Sequence, residues 1–239
     1  MTGRRVVVMA GPSLPPRVRG SIDGCEWHPP ATAGDVAALL DDPPQVLCLI
    51  DGLFDAQPAP WHKELLMVMA AGTLVLGASS MGALRAAELD RHGMMGIGAI
   101  YRAYRQGVLT GDDEVALIHA TGKLGWAPLS VPLVEVRATL IAACRRGLVS
   151  PKQARGLRSA AMAIHFSDRD WPALKSRWVA QGHCDETTAR ALAAAHVPLK
   201  QQDALECIAQ ALRTPLGQGP RAEPPKTYFV MQLLERGSA

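Results

Sequence analysis

Several signatures that would have announced a class of protein are missing from this chain. No run of 18 apolar residues occurs, so a membrane-spanning helix is not expected. The first residues lack an apolar stretch followed by a small-residue cleavage site, which argues against export. Five cysteines (Cys25, Cys48, Cys144, Cys184, Cys207) are scattered with no C-x-x-C pair. An odd count without framework spacing excludes a disulfide scaffold and a zinc quartet, and fits the reduced thiols of a cytoplasmic protein. The first glycine turn, Gly11-Pro12-Ser13, opens no G-x-G-x-x-G, so the dinucleotide fingerprint is absent. No nucleic-acid recognition module can be traced either.

What is present suffices for a full core: 239 residues, 48% hydrophobic and 20% charged, or one to two domains. Arg4–Ala10, Val46–Ile50 and Thr73–Leu76 are short apolar runs that end at Gly11, Asp51 and Gly77, as buried strands do. Helices are expected at Ala33–Leu40 and His62–Ala71, the second with Lys63 and Glu64 in its first turn. This alternation predicts an α/β domain with a parallel, Rossmann-like sheet, whose ligands bind outside the carboxyl ends of the strands. Gly93–Gly98 is expected to be a link between helices, and Val115–Ala120 a helix opened by Thr110–Glu114. From Val131 onward the pattern is helical only: Val131–Gly147, Ser150–Ala163, Asp168–Gly182, Asp185–Ala195 and Pro198–Arg213. The expected organisation is thus an α/β domain over 1–130, a helical region over 131–213 and a mobile tail over 214–239, with Tyr228–Leu234 docking back. Charge divides similarly, with 10 basic and 13 acidic side chains through residue 130 against 15 and 9 after it. The clustered Arg145, Arg146, Lys152, Arg155 and Arg158 predict that the helical region recruits a macromolecular partner.

The chain is organised around Thr73–Glu88. A strand feeding a turn at Ser79-Ser80 and a helix from Met81 aims backbone N–H groups and a positive dipole end at one point, which suits an anion. Ser79 or Ser80 is expected to cap that helix. The turn also resembles a nucleophile elbow, imperfectly: Gly77 precedes Ser79, but Met81 stands where a second glycine belongs, and Ala78 precedes Ser80. Asp51 at a strand end suits a general base, and an Asx turn with Gly52 explains it equally. Arg85, one turn into the helix, works against the dipole unless an anion is shared. The candidate catalytic residues are therefore Ser79, Ser80, Asp51 and Arg85, with Ser13, Lys63 and Met81 lining an anion site. Asp112, Asp113 and Glu114, with His119 further along, form a second acidic cluster that capping largely explains; no metal or cofactor is expected.

The same residues carry a resemblance. Asp51-Gly52, Lys63-Glu64, the string from Gly77 to Ala86 (GASSMGALRA), Gly93-Met94-x-Gly96-x-Gly98 and Asp112–Ala116 resemble the core of the TfuA-like proteins. The resemblance implies a partner of a YcaO enzyme, which uses ATP to activate a backbone amide and replace its oxygen with sulfur in ribosomally synthesised peptides. It further implies release of sulfide by hydrolysis of a thiocarboxylated, ThiS-like carrier protein. Two other readings stand beside it: a non-catalytic YcaO adaptor, and a small-molecule hydrolase using Ser80. None of the five cysteines lies in the motif-bearing turns, so none is expected to carry the sulfur.

Overall fold

A computed structural model describes residues 4–53 and 57–215. Five strands, β1 (Val6–Met9), β2 (Glu26–His28), β3 (Val46–Leu49), β4 (Leu74–Gly77) and β5 (Met95–Gly96), form one all-parallel sheet in the order β2-β1-β3-β4-β5. The three central strands are legible in the sequence because both their faces are buried, which demands continuous apolar runs. β2 and β5 were not expected: Glu26-Trp27-His28 is a polar edge, and β5 has two residues inside the supposed Gly93–Gly98 link.

Side chains alternate across the sheet with period two. Val6, Val8, Val46, Cys48, Ile50, Leu74 and Leu76 face one layer, covered by Ala204, Cys207, Ile208 and Ala211 of α9 (Leu199–Arg213). Val7, Met9, Leu47, Leu49 and Val75 face the other, covered by α2 (His62–Ala70) and α3 (Met81–Leu89). The short α1 (Pro16–Arg19) follows β1, and α4 (Gly98–Arg105) follows β5. Asp203 of α9 accepts hydrogen bonds from Ala99 N (2.9 Å) and Ile100 N (2.8 Å), so one carboxylate serves two orphan donors of the first turn of α4.

The chain separates into two compact units: described residues up to Val108 together with those from Gln201, and Leu109–Lys200. These limits differ from the boundaries expected at 130 and 213, because α9 completes the sheet layer. The second unit holds α5 (Leu133–Arg145), α6 (Pro151–Met162), α7 (Trp171–Ala180) and α8 (Glu186–Ala194) around Leu140, Leu157, Leu174, Leu192 and a fully buried Trp178. The Trp178 indole donates to Leu157 O at 2.9 Å, so the ring brings no unsatisfied polar group into the core.

Two expected helices are corrected. Ala33–Leu40 forms only a 3-10 segment at Ala37–Asp41, and Val115–Ala120 is irregular. In the latter, Ala120 N donates to Ala127 O and Ile118 N to Ser130 Oγ, so the backbone pairs with a later segment. The expected tail beyond Pro215, with Tyr228–Leu234, lies outside the described residues.

Candidate functional site

The strand order reverses between β1 and β3, since β2 lies on one side of β1 while β3, β4 and β5 run out on the other. A crevice for ligands opens at such a point beyond the carboxyl ends of the strands. Asp51, two residues past β3, crosses to the turn after β1: its Oδ2 accepts from Gly11 N (2.8 Å) and Ser13 N (3.0 Å). Its Oδ1 accepts from Ser13 Oγ at 2.6 Å. A carboxylate only accepts, so the Ser13 hydroxyl proton is committed to it and the Ser13 oxygen is left to accept in turn. It accepts from Ser79 Oγ at 2.8 Å. The result is a directed chain, Ser79 to Ser13 to Asp51, joining the ends of β4, β1 and β3.

Close helix packing brings Ser79 there. A Cβ on Gly82 would stand 1.7 Å from Leu49 O, and one on Gly52 would stand 2.9 Å from Met81 Cγ. Only glycine lets the start of α3 lie on the end of β3, with Gly82 N donating to Ile50 O at 3.2 Å. Ser79 has φ +70°, the left-handed region that a non-glycine residue enters at a cost. Between the two serines, the elbow-like conformation therefore belongs to Ser79. Ser80 stands at the N-cap position, but neither serine side chain caps the helix, contrary to the sequence expectation. Ser80 N donates to Ala78 O, which leaves the N–H groups of Ser79 and Met81 without a partner among the described residues.

The other candidates are placed elsewhere. Arg85 donates from Nε to Pro60 O (3.0 Å) and from NH1 to Glu88 (2.7 Å), and Glu88 also meets His62 Nε2 at 2.7 Å. Glu64 is buried and accepts from Gly34 N, Ala37 N and Trp61 N, binding the 3-10 segment to α2; Lys63 is half-buried in the same turn. Asp112 and Asp113 are exposed in the other unit, whereas Glu114 is buried and holds Arg137 through both carboxylate oxygens. His119 turns Nδ1 toward Ala120 O and packs its ring edge-on to Trp126. Among the described residues no group of three or more His, Cys, Asp or Glu side chains is placed to hold a metal ion.

Sequence reasoning missed Arg19. Its Nε is buried without a hydrogen-bond partner among the described residues, and burial, the larger effect, lowers its pKa while the negative charge of Asp51 raises it. The only sequence signal was an arginine closing a proline-opened turn directly after Ser13. Three of the thiols are disfavoured as thiolates: burial pushes Cys25 up to about 11 and also raises Cys184. Cys207, against Cys48, is raised further by their mutual hydrogen bond and by burial.

A parallel α/β domain with a buried serine–serine–aspartate chain at its topological switch point defines the class of this protein. The family model for TfuA-like proteins matches residues 51–170, half of the chain, and the chain belongs to that family, whose members are associated with YcaO enzymes. The match begins at Asp51, so Asp51 and Ser79 lie inside it and Ser13 and Arg19 outside. No curated protein matches the chain. Among the described residues no helix is long and apolar enough to cross a membrane.

Proposed function

We propose that this protein serves a YcaO enzyme in peptide thioamidation by releasing sulfide from a thiocarboxylated, ThiS-like carrier protein, with Ser79 as the nucleophile. The observation that carries this reading is the directed hydrogen-bond chain from Ser79 through Ser13 to Asp51. Ser79 Oγ attacks the thiocarboxylate carbon while its proton passes to Ser13 Oγ, which gives its own proton to Asp51 Oδ1. The proton returns from Asp51 along the same chain to the departing sulfur as the C–S bond breaks, so HS⁻ leaves and an acyl-serine ester remains. Water then hydrolyses the ester, so that thiocarboxylate and water become carboxylate and hydrogen sulfide. The developing oxyanion needs fixed donors, a role assigned to the N–H groups of Ser79 and Met81, which have no partner among the described residues at the turn into α3. Arg19, whose charge reaches Asp51, is assigned to hold the anionic end of the substrate; Arg85, tied to Pro60 and Glu88, orients the α3 turn instead.

Purified protein incubated with thiocarboxylated carrier alone should release sulfide and free carboxylate. Ser79→Ala and Asp51→Asn should each lower the rate at least ~100-fold, Ser13→Ala should lower kcat with little change in KM, and a Cys→Ser scan should leave it intact. A second reading is favoured by one observation: Ser79 is 0% exposed and Asp51 1% exposed, as in a clamp that ties three strand ends together in a non-catalytic YcaO adaptor. Absence of sulfide release by the wild-type protein, with YcaO thioamidation still dependent on it, selects that reading.

A further inference from the structure

We propose that the helical unit, Leu109–Lys200, binds a small tetrahedral oxyanion of the phosphate type between Arg169 and Arg137. Arg169 is 1% exposed and lies outside the machinery described above. Its NH2 donates to Ile164 O at 2.9 Å, but Nε and NH1 are shielded from solvent and have no partner among the described residues. A guanidinium stays charged at every ordinary pH and can only donate. Buried without an anion it is costly, and an anion that reaches it relieves that cost.

The buried carboxylate beside it is already engaged. Glu114, 6% exposed, receives Arg137 on both oxygens, from Nε at 2.9 Å and from NH2. Arg137 NH2 also touches Met162 Sδ, two residues before the carbonyl that Arg169 holds, so both guanidiniums converge on the end of α6. Two cations thus share one carboxylate, which leaves a positive charge uncompensated. Asp113 also acts on the charge of Arg169, yet it is exposed and screened by water. Free donors surround the pair. Arg137 NH1 has no partner among the described residues. Arg169 O accepts from Val131 N just ahead of α5, and the first N–H groups of that helix, on Leu133 and Val134, have no partner among the described residues either. A tetrahedral oxyanion presents acceptors in several directions, supplies the missing charge and suits a helix start. The shielded nitrogens admit only a small ion, so the free ion is assigned rather than a phosphoryl group on a larger molecule. The carboxylates that act on Arg169 belong to the 3-10 turn Asp112–Glu114, so the ion enters by parting that turn.

The test is calorimetric titration of the full-length protein with inorganic phosphate at neutral pH, ionic strength being held constant with sodium chloride, beside thermal melts in the same buffers. The wild-type protein should bind phosphate with a Kd of ~1 mM or tighter and should melt at a higher temperature in phosphate than in chloride. Arg169→Met should weaken binding at least ~10-fold and abolish the melting shift. It should melt no lower than ion-free wild type, because an unpaired buried charge gives way to an apolar chain. A lower melting temperature with the phosphate response untouched would make Arg169 a purely structural residue and overturn the proposal. Asp113→Asn removes a like charge from the entry turn and should tighten phosphate binding about threefold; it carries the test if Arg169→Met fails to fold. Destabilisation by Asp113→Asn without tighter binding would make Asp113 itself the partner of Arg169, against the proposal. Acetate or adenosine monophosphate binding as tightly as phosphate, or no response of the wild type to phosphate, would also overturn it. None of these readouts involves sulfide, so their outcome is separate from whether Ser79 releases it.

Discussion

At the scale of single residues, Ser79 combines two features that pull against each other. An L-residue in the left-handed region is strained by roughly 1–2 kcal/mol, yet Ser79 sits there at φ +70°. Strain at a serine whose hydroxyl is hydrogen-bonded through Ser13 to a buried carboxylate is of the kind that accompanies function. Two substitutions separate strain from chemistry. Ser79→Ala loses the hydrogen bond to Ser13 and keeps the strain, whereas Ser79→Gly loses the bond and releases the strain. Both should be inactive in sulfide release, while Ser79→Gly should be the more stable by about 1 kcal/mol in urea unfolding. Equal stability of the two would mean that the turn carries no strain. Retained activity in either would remove Ser79 from the mechanism.

At the scale of elements, the sheet edge carries an ion-pair cluster beside its apolar contacts. β2 is three residues long, and its Glu26 receives Arg5 Nε at 2.7 Å and His28 Nε2 at 2.7 Å. These hydrogen bonds, that of Arg5 first, hold the Glu26 carboxyl down to about 2 from an ordinary 4.5. A depressed carboxylate contributes stability above its unfolded pKa and loses it as pH falls through its folded one. The stability gap between wild type and Glu26→Gln should therefore be complete above about pH 4.5 and close as pH falls toward about 2. Denaturant melts across that window check it, and a gap independent of pH would mean that the ion pair does not hold β2. The pair is partly solvent-exposed, so the gap itself should be small.

At the scale of the molecule, the chain returns to its beginning. The last described helix supplies Ala204, Cys207, Ile208 and Ala211 to the layer over Val6, Val8, Val46 and Cys48, and Asp203 to the start of α4. A sheet face without its covering helix exposes a contiguous apolar surface and leaves helix donors unpaired. A chain ended at residue 200 should therefore lose its cooperative thermal transition, read by circular dichroism, even though every strand remains. A sharp transition near the wild-type temperature would show that the sheet unit needs no α9. The expected effect follows from layer architecture, in which a sheet is stable only when both faces are buried.

The sequence by itself determined the α/β class, the three central strands, the strand-end location of Asp51 and Ser79, and the family. Each rests on a local signal: an unbroken apolar run for a strand buried on both faces, a glycine or aspartate at its end, or a contiguous string such as GASSMGALRA. Tertiary structure decided the rest. The pairing of Ser13 with Asp51 and Ser79 joins positions 38 and 66 apart in the chain, a separation that no periodicity encodes. β2 and β5 are strands only because neighbouring strands offer them hydrogen bonds, and residues 115–120 abandon a helical pattern because a later segment pairs with their backbone. Local propensity is a fraction of a kcal/mol per residue, so long-range partners overrule it wherever an element is short.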